Sequence, residues 1–359
     1  MPLDRIAVAA YTIPTDAPES DGTIEWNSTT IIVVDAWAHE WRGVGYSYAD
    51  AAAADLIHRV LAPVVRGMSV MDVSACAAAM ALAVRNIGRP GLASAAISAV
   101  DNALWDLKAR VLGVPLVSLL GAVRSAVTAY GSGGFTSYSR ERLTRQLGDW
   151  AASGFRAVKM KVGREPERDI ERVRTARDAI GDTELFVDAN GAYERKQALA
   201  FAEAFAHSNV TWFEEPVSSD DLEGLHLLRD RAPAGMRIAA GEYGYDAMYF
   251  RRMLEAEAVD VLQADATRCG GVTGFLRAAA LCEAHNLPLS AHTAPSLHAH
   301  LCCAVGPALN VEYFHDHGRI ERLLFDGASE PVDGLLVPDR SRPGFGLELK
   351  RSDAARYAA

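Results

Sequence analysis

Eight short β-type runs recur in the second part of the chain, at 127–130, 157–161, 185–188, 211–214, 237–240, 259–263, 287–291 and 310–313, with helical segments between them. Regular alternation of this kind argues for a parallel sheet with helical crossovers. Eight units of this size within 126–325 favour closure into a barrel over an open sheet.

What stands at each strand end gives the barrel a direction. Strand two ends in Lys159-Met160-Lys161, strand three in Asp188, strand four in Glu214 and strand five in Glu242. Strand six leads into Asp265, strand seven into His292 and strand eight into Glu312. From Lys161 onward these residues follow one another at steps of 20 to 28 residues. One βα unit is about that long, so each step advances one strand and returns to the same rim. That rim is the C-terminal face, where barrel enzymes carry their active sites. One charged strand end is ordinary; seven in phase define a site.

Asp188, Glu214 and Glu242 must converge from three adjacent strands. Two carboxylates about 4 Å apart repel by about 4 kcal/mol at an effective dielectric near 20. A hard divalent cation removes that cost, and three oxygen donors with no His or Cys among them suit Mg²⁺. Lys159 and Lys161 are two apart on a strand, so both point to one face. Their mutual repulsion is expected to lower a lysine pKa toward the range in which it takes a proton. Asp265 and His292 form a second acid/base, the carboxylate fixing the tautomer of the imidazole. His298 and His300 are out of phase with the strand ends and are expected to be structural.

Residues 1–125 read as an α+β unit. Strands are expected at 3–13 and 29–37, with the polar stretch Thr15–Asn27 between them, and helices at 50–66, 70–86 and from about Leu92 to Val111. The tail, 326–359, lacks a barrel unit and is expected to pack back on the N-terminal domain. The formal net charge of −10 argues against nucleic acid as a partner, since phosphate binding needs a basic footprint. No run of about 18 apolar residues occurs, so no membrane span is expected. The odd set Cys76, Cys269, Cys282, Cys302 and Cys303 has no zinc-type spacing and reads as buried reduced thiols. With no signal-peptide pattern at the N-terminus, a cytoplasmic protein is expected.

The chain resembles the enolase superfamily, and within it the mandelate racemase subgroup. The resemblance covers nearly the whole length. It rests on Ala95–Lys108 with Leu119-Leu120-Gly121, then on Val158–Gly163, Val187-Asp188-Ala189-Asn190 and Trp212-Phe213-Glu214-Glu215-Pro216. It continues through Gly241-Glu242, Gln263-Ala264-Asp265 and Gly270-Gly271-Val272-Thr273-Gly274. The resemblance implies a modified (β/α)7β barrel under an α+β capping domain. It implies Mg²⁺ on Asp188, Glu214 and Glu242, with Glu215 outside the metal shell. Lys161 resembles the strand-two base, Lys159 the lysine that neutralises the substrate carboxylate, and His292 with Asp265 the acid/base dyad. Glu312 is similar to a carboxyl group that hydrogen-bonds the substrate carboxylate.

Two cap loops, here about Thr15–Asn27 and Gly45–Ala49, are implied to close over the mouth. Trp26, Tyr46 and Tyr48 are the bulky residues there, and Asn190, Trp26 and Tyr46 are taken as substrate-binding. The implied chemistry is removal of the proton next to a carboxylate to give a metal-stabilised enediolate. Dehydration of an aldonic or aldaric acid to a 2-keto-3-deoxy acid is the first expectation. Racemisation, epimerisation or cycloisomerisation of an α-hydroxy acid is the alternative. A homo-oligomer, dimer to octamer, acting on a small carboxylate completes the expectation.

Overall fold

The structure is a computed structural model that describes residues 1–359. Its first strands, β1 (Arg5–Ser20), β2 (Glu25–Ala38) and β3 (Trp41–Tyr48), form an antiparallel sheet in the order β1-β2-β3. The stretch Thr15–Asn27, expected to be irregular, is largely strand. β1 and β2 stay paired across it through a register shift between Pro14 and Glu19. The turn itself is short: Asp21 accepts from the backbone N–H of Thr23 and Ile24, at 2.6 and 2.8 Å. Gly45–Ala49 is likewise not a loop, because β3 runs through it to Tyr48.

The helix Leu92–Val111 lies against β3 and begins where the sequence places it. Gly43 and Gly45 explain the missed strand. A Cβ at either would overlap the backbone of Ala103. Glycine weakens strand propensity, and here it is required by close helix approach. The predicted helix at 50–66 contains a π-helical turn, Ile57–Leu61, just before Pro63, where the proline lacks a backbone donor. A second apolar core, including Ile32, Val34, Leu61, Met80 and Leu104, fills this cap.

The barrel strands are β4 (Val127–Gly133), β5 (Ala157–Lys161), β6 (Glu184–Asp188), β7 (Val210–Glu214), β8 (Arg237–Ala240), β9 (Val261–Ala264), β10 (Leu289–Ala291) and β11 (Ala308–Phe314). All neighbours are parallel, and β11 pairs with β4 to close the ring. A helix lies in each of the seven crossovers, and a further one, His315–Leu324, follows β11. Tyr130, Phe186, Trp212, Ala239 and Val261 pack together in the barrel, with Phe186 stacked on Trp212 at 4.9 Å. Alternate residues such as Val158 and Met160 join the large core beneath the helices.

The C-terminal segment touches both parts. Leu335–Leu336 pairs antiparallel with β4, while Arg351 bonds Asp35 at 2.7 Å and Ala359 N–H donates to Ala10 O. All five cysteines are free and buried. No helix is long and apolar enough to cross a membrane.

Candidate active site

The parallel register brings the strand ends together. Lys161 pairs with Asp188, and Asp188 with Glu214, in adjacent strands. One oxygen from each of Asp188, Glu214 and Glu242 lies within 4.8 Å of the others, and all three side chains are buried. Several backbone turns just past the strands are left-handed: Asn190, Glu215, Thr293 and Ala294 all have positive φ. Such conformations are uncommon outside glycine and cluster at functional sites.

Lys159 and Lys161 both point inward. Lys159 Nζ lies 2.5 Å from Glu214 Oε1, 2.8 Å from Glu312 Oε1 and 3.5 Å from Asp188 Oδ2. Lys161 Nζ lies 2.5 Å from Asp188 Oδ2. The expected lowering of a lysine pKa is not what this arrangement produces. Burial does disfavour the ammonium of Lys161, and Lys159 adds repulsion, but Asp188 and the other carboxylates outweigh both and raise the pKa.

Across the cavity, His292 Nδ1 is 2.8 Å from Asp265 Oδ2, while Nε2 is 3.2 Å from Glu242 Oε2. Burial disfavours the imidazolium, yet Glu242, Glu312 and Asp265 raise His292 to about 10. Asp265 is held well below the usual carboxylate range against its own desolvation, chiefly by His292. Glu312 completes the rim, bonding Ser132 Oγ at 2.6 Å. His298 and His300 are buried and bonded to backbone N–H groups of Ala266 and Val117, as structural histidines are.

These residues suit a divalent cation. Six buried carboxylates (Asp188, Glu214, Glu215, Glu242, Asp265 and Glu312) face Lys159, Lys161, Arg268 and His292, leaving negative charge in excess. Desolvation and the neighbouring Asp188 push Glu214 up to about 8. Glu215 Oε1 and Asn190 Oδ1 are buried without partners. A cation relieves this crowding, and the all-oxygen trio selects a hard one.

A cavity of about 400 Å³ opens above the trio, lined among others by Lys161, Asn190, Glu242, Arg268, His292 and Trp26. Tyr46, expected to touch substrate, does not line it. It is fully buried and its hydroxyl donates to Glu321. Tyr48, two residues on and therefore on the same face, reaches the rim instead and stacks on His317 at 3.5 Å.

Sequence reasoning missed Arg268 and His317. Arg268 Nη1 binds Glu242 Oε1 at 3.1 Å, and its Nε lies 3.7 Å from Asp265 Oδ2, so it braces a trio member and the dyad together. Its position three residues past Asp265 was the available signal. His317 lies in the helix after β11, where no strand-end phase marks it; burial lowers it to about 3, so it is neutral.

A carboxylate trio suited to a divalent cation, flanked by a lysine and a histidine–aspartate pair at the mouth of a capped barrel, is the site of a metal-dependent enzyme. Comparison with known proteins gives the lineage. Residues 142–354 match the enolase C-terminal domain-like family, and residues 22–121 match the mandelate racemase/muconate lactonizing enzyme N-terminal domain. The chain belongs to the mandelate racemase/muconate lactonizing enzyme group of the enolase superfamily.

L-talarate/galactarate dehydratase of Salmonella typhimurium is 31% identical over 360 residues, 96% of this chain and 89% of that protein. The 3,6-anhydro-alpha-L-galactonate cycloisomerase of Streptomyces coelicolor is 31% identical over 368 residues, 99% of each. A mandelate racemase/muconate lactonizing enzyme-like protein from Rubrobacter xylanophilus has a solved structure with TM-score 0.98 and 56% identity, covering 100% of both chains. A racemase from Streptomyces coelicolor A3(2), solved with bound magnesium, has TM-score 0.93 and 30% identity, covering 99% of this chain and 100% of that one. Magnesium is accordingly the cofactor for which the trio Asp188, Glu214 and Glu242 is positioned.

Proposed function

We propose that this enzyme dehydrates a sugar acid, aldonic or aldaric, to a 2-keto-3-deoxy acid. The observation that carries the reading is that Lys161 and His292 line one cavity with Glu242 and Asn190 between the cap and the barrel rim. With magnesium on Asp188, Glu214 and Glu242, positive charge is supplied to the substrate carboxylate as its α-proton leaves.

The remaining work falls to side chains. Lys159, buried beneath the cavity lining and paired with Glu312 at 2.8 Å, acts on the substrate carboxylate through its positive charge. Lys161 takes the α-proton, a role that requires the charge of Asp188, which raises its pKa, to be taken up by a cation held on the trio. The imidazolium of His292, supported by Asp265, delivers a proton to the departing 3-hydroxyl. Trp26 and Asn190, which line the cavity, face the rest of the substrate. The relatives support this choice, since they include an L-talarate/galactarate dehydratase, an arabinonate dehydratase and an L-rhamnonate dehydratase.

A second reading has its own support. Two proton-transfer groups on one cavity also suit 1,1-proton transfer, and cycloisomerases stand among the relatives. The deciding experiment is a library of aldonic and aldaric acids incubated with enzyme and Mg²⁺ and assayed for 2-keto acid. Keto product from at least one acid is expected. Epimerised or isomerised acid without keto product would install the second reading. Neither product, together with no α-proton exchange in D₂O across the panel, would refute both.

A further inference from the structure

Away from the strand-end residues, one side-chain cluster ties the cap to the barrel. Asp16 and Glu19 stand on β1 of the cap, and His315 opens the helix after β11. One ligand atom from each lies within 4.8 Å of the other two. Asp16 Oδ2 is 3.0 Å from His315 Nε2, and Asp16 Oδ1 accepts from Arg142 Nη2 at 3.0 Å. Glu19 is wholly buried. Its Oε2 accepts from Trp26 Nε1 at 2.9 Å, while its Oε1 is buried and has no partner.

Buried carboxylate oxygens are normally satisfied, so an orphan on a carboxylate that clusters with an imidazole and a second carboxylate calls for a positive group. Arg142 is already bonded to Asp16, and Arg319 to Asp316 at 2.5 Å. Burial first, then the nearby charges of Asp316 and Asp16, push the Glu19 carboxyl up to about 8. No cationic side chain bonds Glu19.

We propose that Asp16, Glu19 and His315 bind a divalent ion of the zinc type, which latches the cap hairpin to the barrel rim. Zinc takes nitrogen and oxygen donors at about 2.0–2.2 Å. Two ligands at that radius, 90–110° apart, are separated by about 3.0–3.5 Å. The Asp16–His315 spacing of 3.0 Å falls in that range. An imidazole donor selects against Mg²⁺, which prefers oxygen, so this site and the trio at the strand ends take different ions.

The latch has a route to the active site. Trp26 lines the cavity and is held by Glu19 Oε2, with its ring edge-on to Phe135 at 5.5 Å. An ion that fixes Glu19 therefore fixes Trp26 over the mouth. His315 lies just past β11, whose last residue, Phe314, lines the cavity, so a single strand end serves both sites.

The test uses the full-length enzyme, stripped of metal, returned to excess Mg²⁺ and dialysed against Zn²⁺, with zinc counted by elemental analysis. Wild-type enzyme should retain about one equivalent more than His315→Ala. The same equivalent should persist in Glu214→Gln, which alters the strand-end trio. Equal zinc in wild type and His315→Ala, or loss of the extra equivalent in Glu214→Gln, overturns the site. Hydrogen exchange across residues 15–27 should slow on zinc addition in wild type and not in His315→Ala; equal rates overturn the latch. Matching thermal unfolding of the two proteins without zinc shows that the variant is folded.

Discussion

Asp265→Asn isolates the role of the carboxylate behind His292. Asp265 Oδ1 accepts from Thr267 N–H at 2.6 Å, so the oxygen of an asparagine must stay there. Its amide nitrogen then takes the place of Oδ2, 2.8 Å from His292 Nδ1. The imidazole is forced to accept at Nδ1 and carry its single proton on Nε2. The imidazolium also loses its counter-charge. Two unit charges with centres about 4 Å apart interact by about 4 kcal/mol at an effective dielectric near 20. That is about a thousandfold in the population of the acid, and turnover should fall by about 10³. Exchange of the α-proton in D₂O separates this from general damage. Exchange on the Lys161 face should persist, and exchange on the His292 face should fall with turnover. A drop smaller than about tenfold, or equal loss on both faces, refutes the assignment.

Four further outcomes follow from the geometry. Tyr46→Phe should leave KM for the substrate unchanged and cost about 1–3 kcal/mol of stability in a denaturant titration, because Glu321 loses a buried donor. Removal of divalent cations with EDTA should abolish turnover and lower Tm, and Mg²⁺ at about 100 times its Kd should restore about 2.7 kcal/mol. Glu321 is raised by burial to about 7. A raised acid stabilises the fold fully below its unfolded pKa, near 4.5, and loses that contribution as pH rises through 7. Melting between about pH 5 and pH 8 should therefore show a downward slope in wild type that flattens in Glu321→Gln. Gly45→Ala should cost about 3 kcal/mol or prevent folding, since its Cβ would overlap the backbone of Ala99 and Ala103; a soluble variant with unchanged Tm would show that the helix yields easily.

The barrel strands were legible because period and burial agree. The expected 157–161 and 237–240 are the observed β5 and β8, β4 runs three residues beyond the expected 127–130, and the other five differ by one or two residues at one or both ends. The strand-end residues were legible for the same reason, since a fixed βα length returns each to one rim. Three things were not. Cap strands β1 and β2 carry polar residues through a register shift, so no alternation marks them beyond residue 13 on one side or before 29 on the other. The burial of Tyr46 depends on a helix far away in sequence. The lysine pair was misjudged because the strand shows their mutual repulsion but not Asp188, Glu214 and Glu312, which arrive from other strands.

The cap helix Leu92–Val111 shows why a cap is needed for chemistry carried by the barrel. Ser98 Oγ accepts from the backbone N–H of Gly270 and Gly271, at 2.8 and 3.1 Å. Asn102 accepts from Val272 N–H at 3.0 Å and donates to Ala266 O at 3.0 Å. Asp101 accepts from both the N–H and the hydroxyl of Thr273, at 2.9 and 2.7 Å. Every one of these bonds ends on the turn 266–270 or on the first three residues of the helix that follows it. That turn follows Asp265 and carries Arg268, the two residues that orient His292 and Glu242. Gly271 allows the approach, because its φ of 74° suits glycine and any Cβ would meet Asp101. Three polar residues of this largely apolar helix, Ser98, Asp101 and Asn102, thus have a cause: they hold the turn that sets the geometry of the dyad. Loss of Asn102 should then reduce turnover more than its buried hydrogen bonds alone reduce stability.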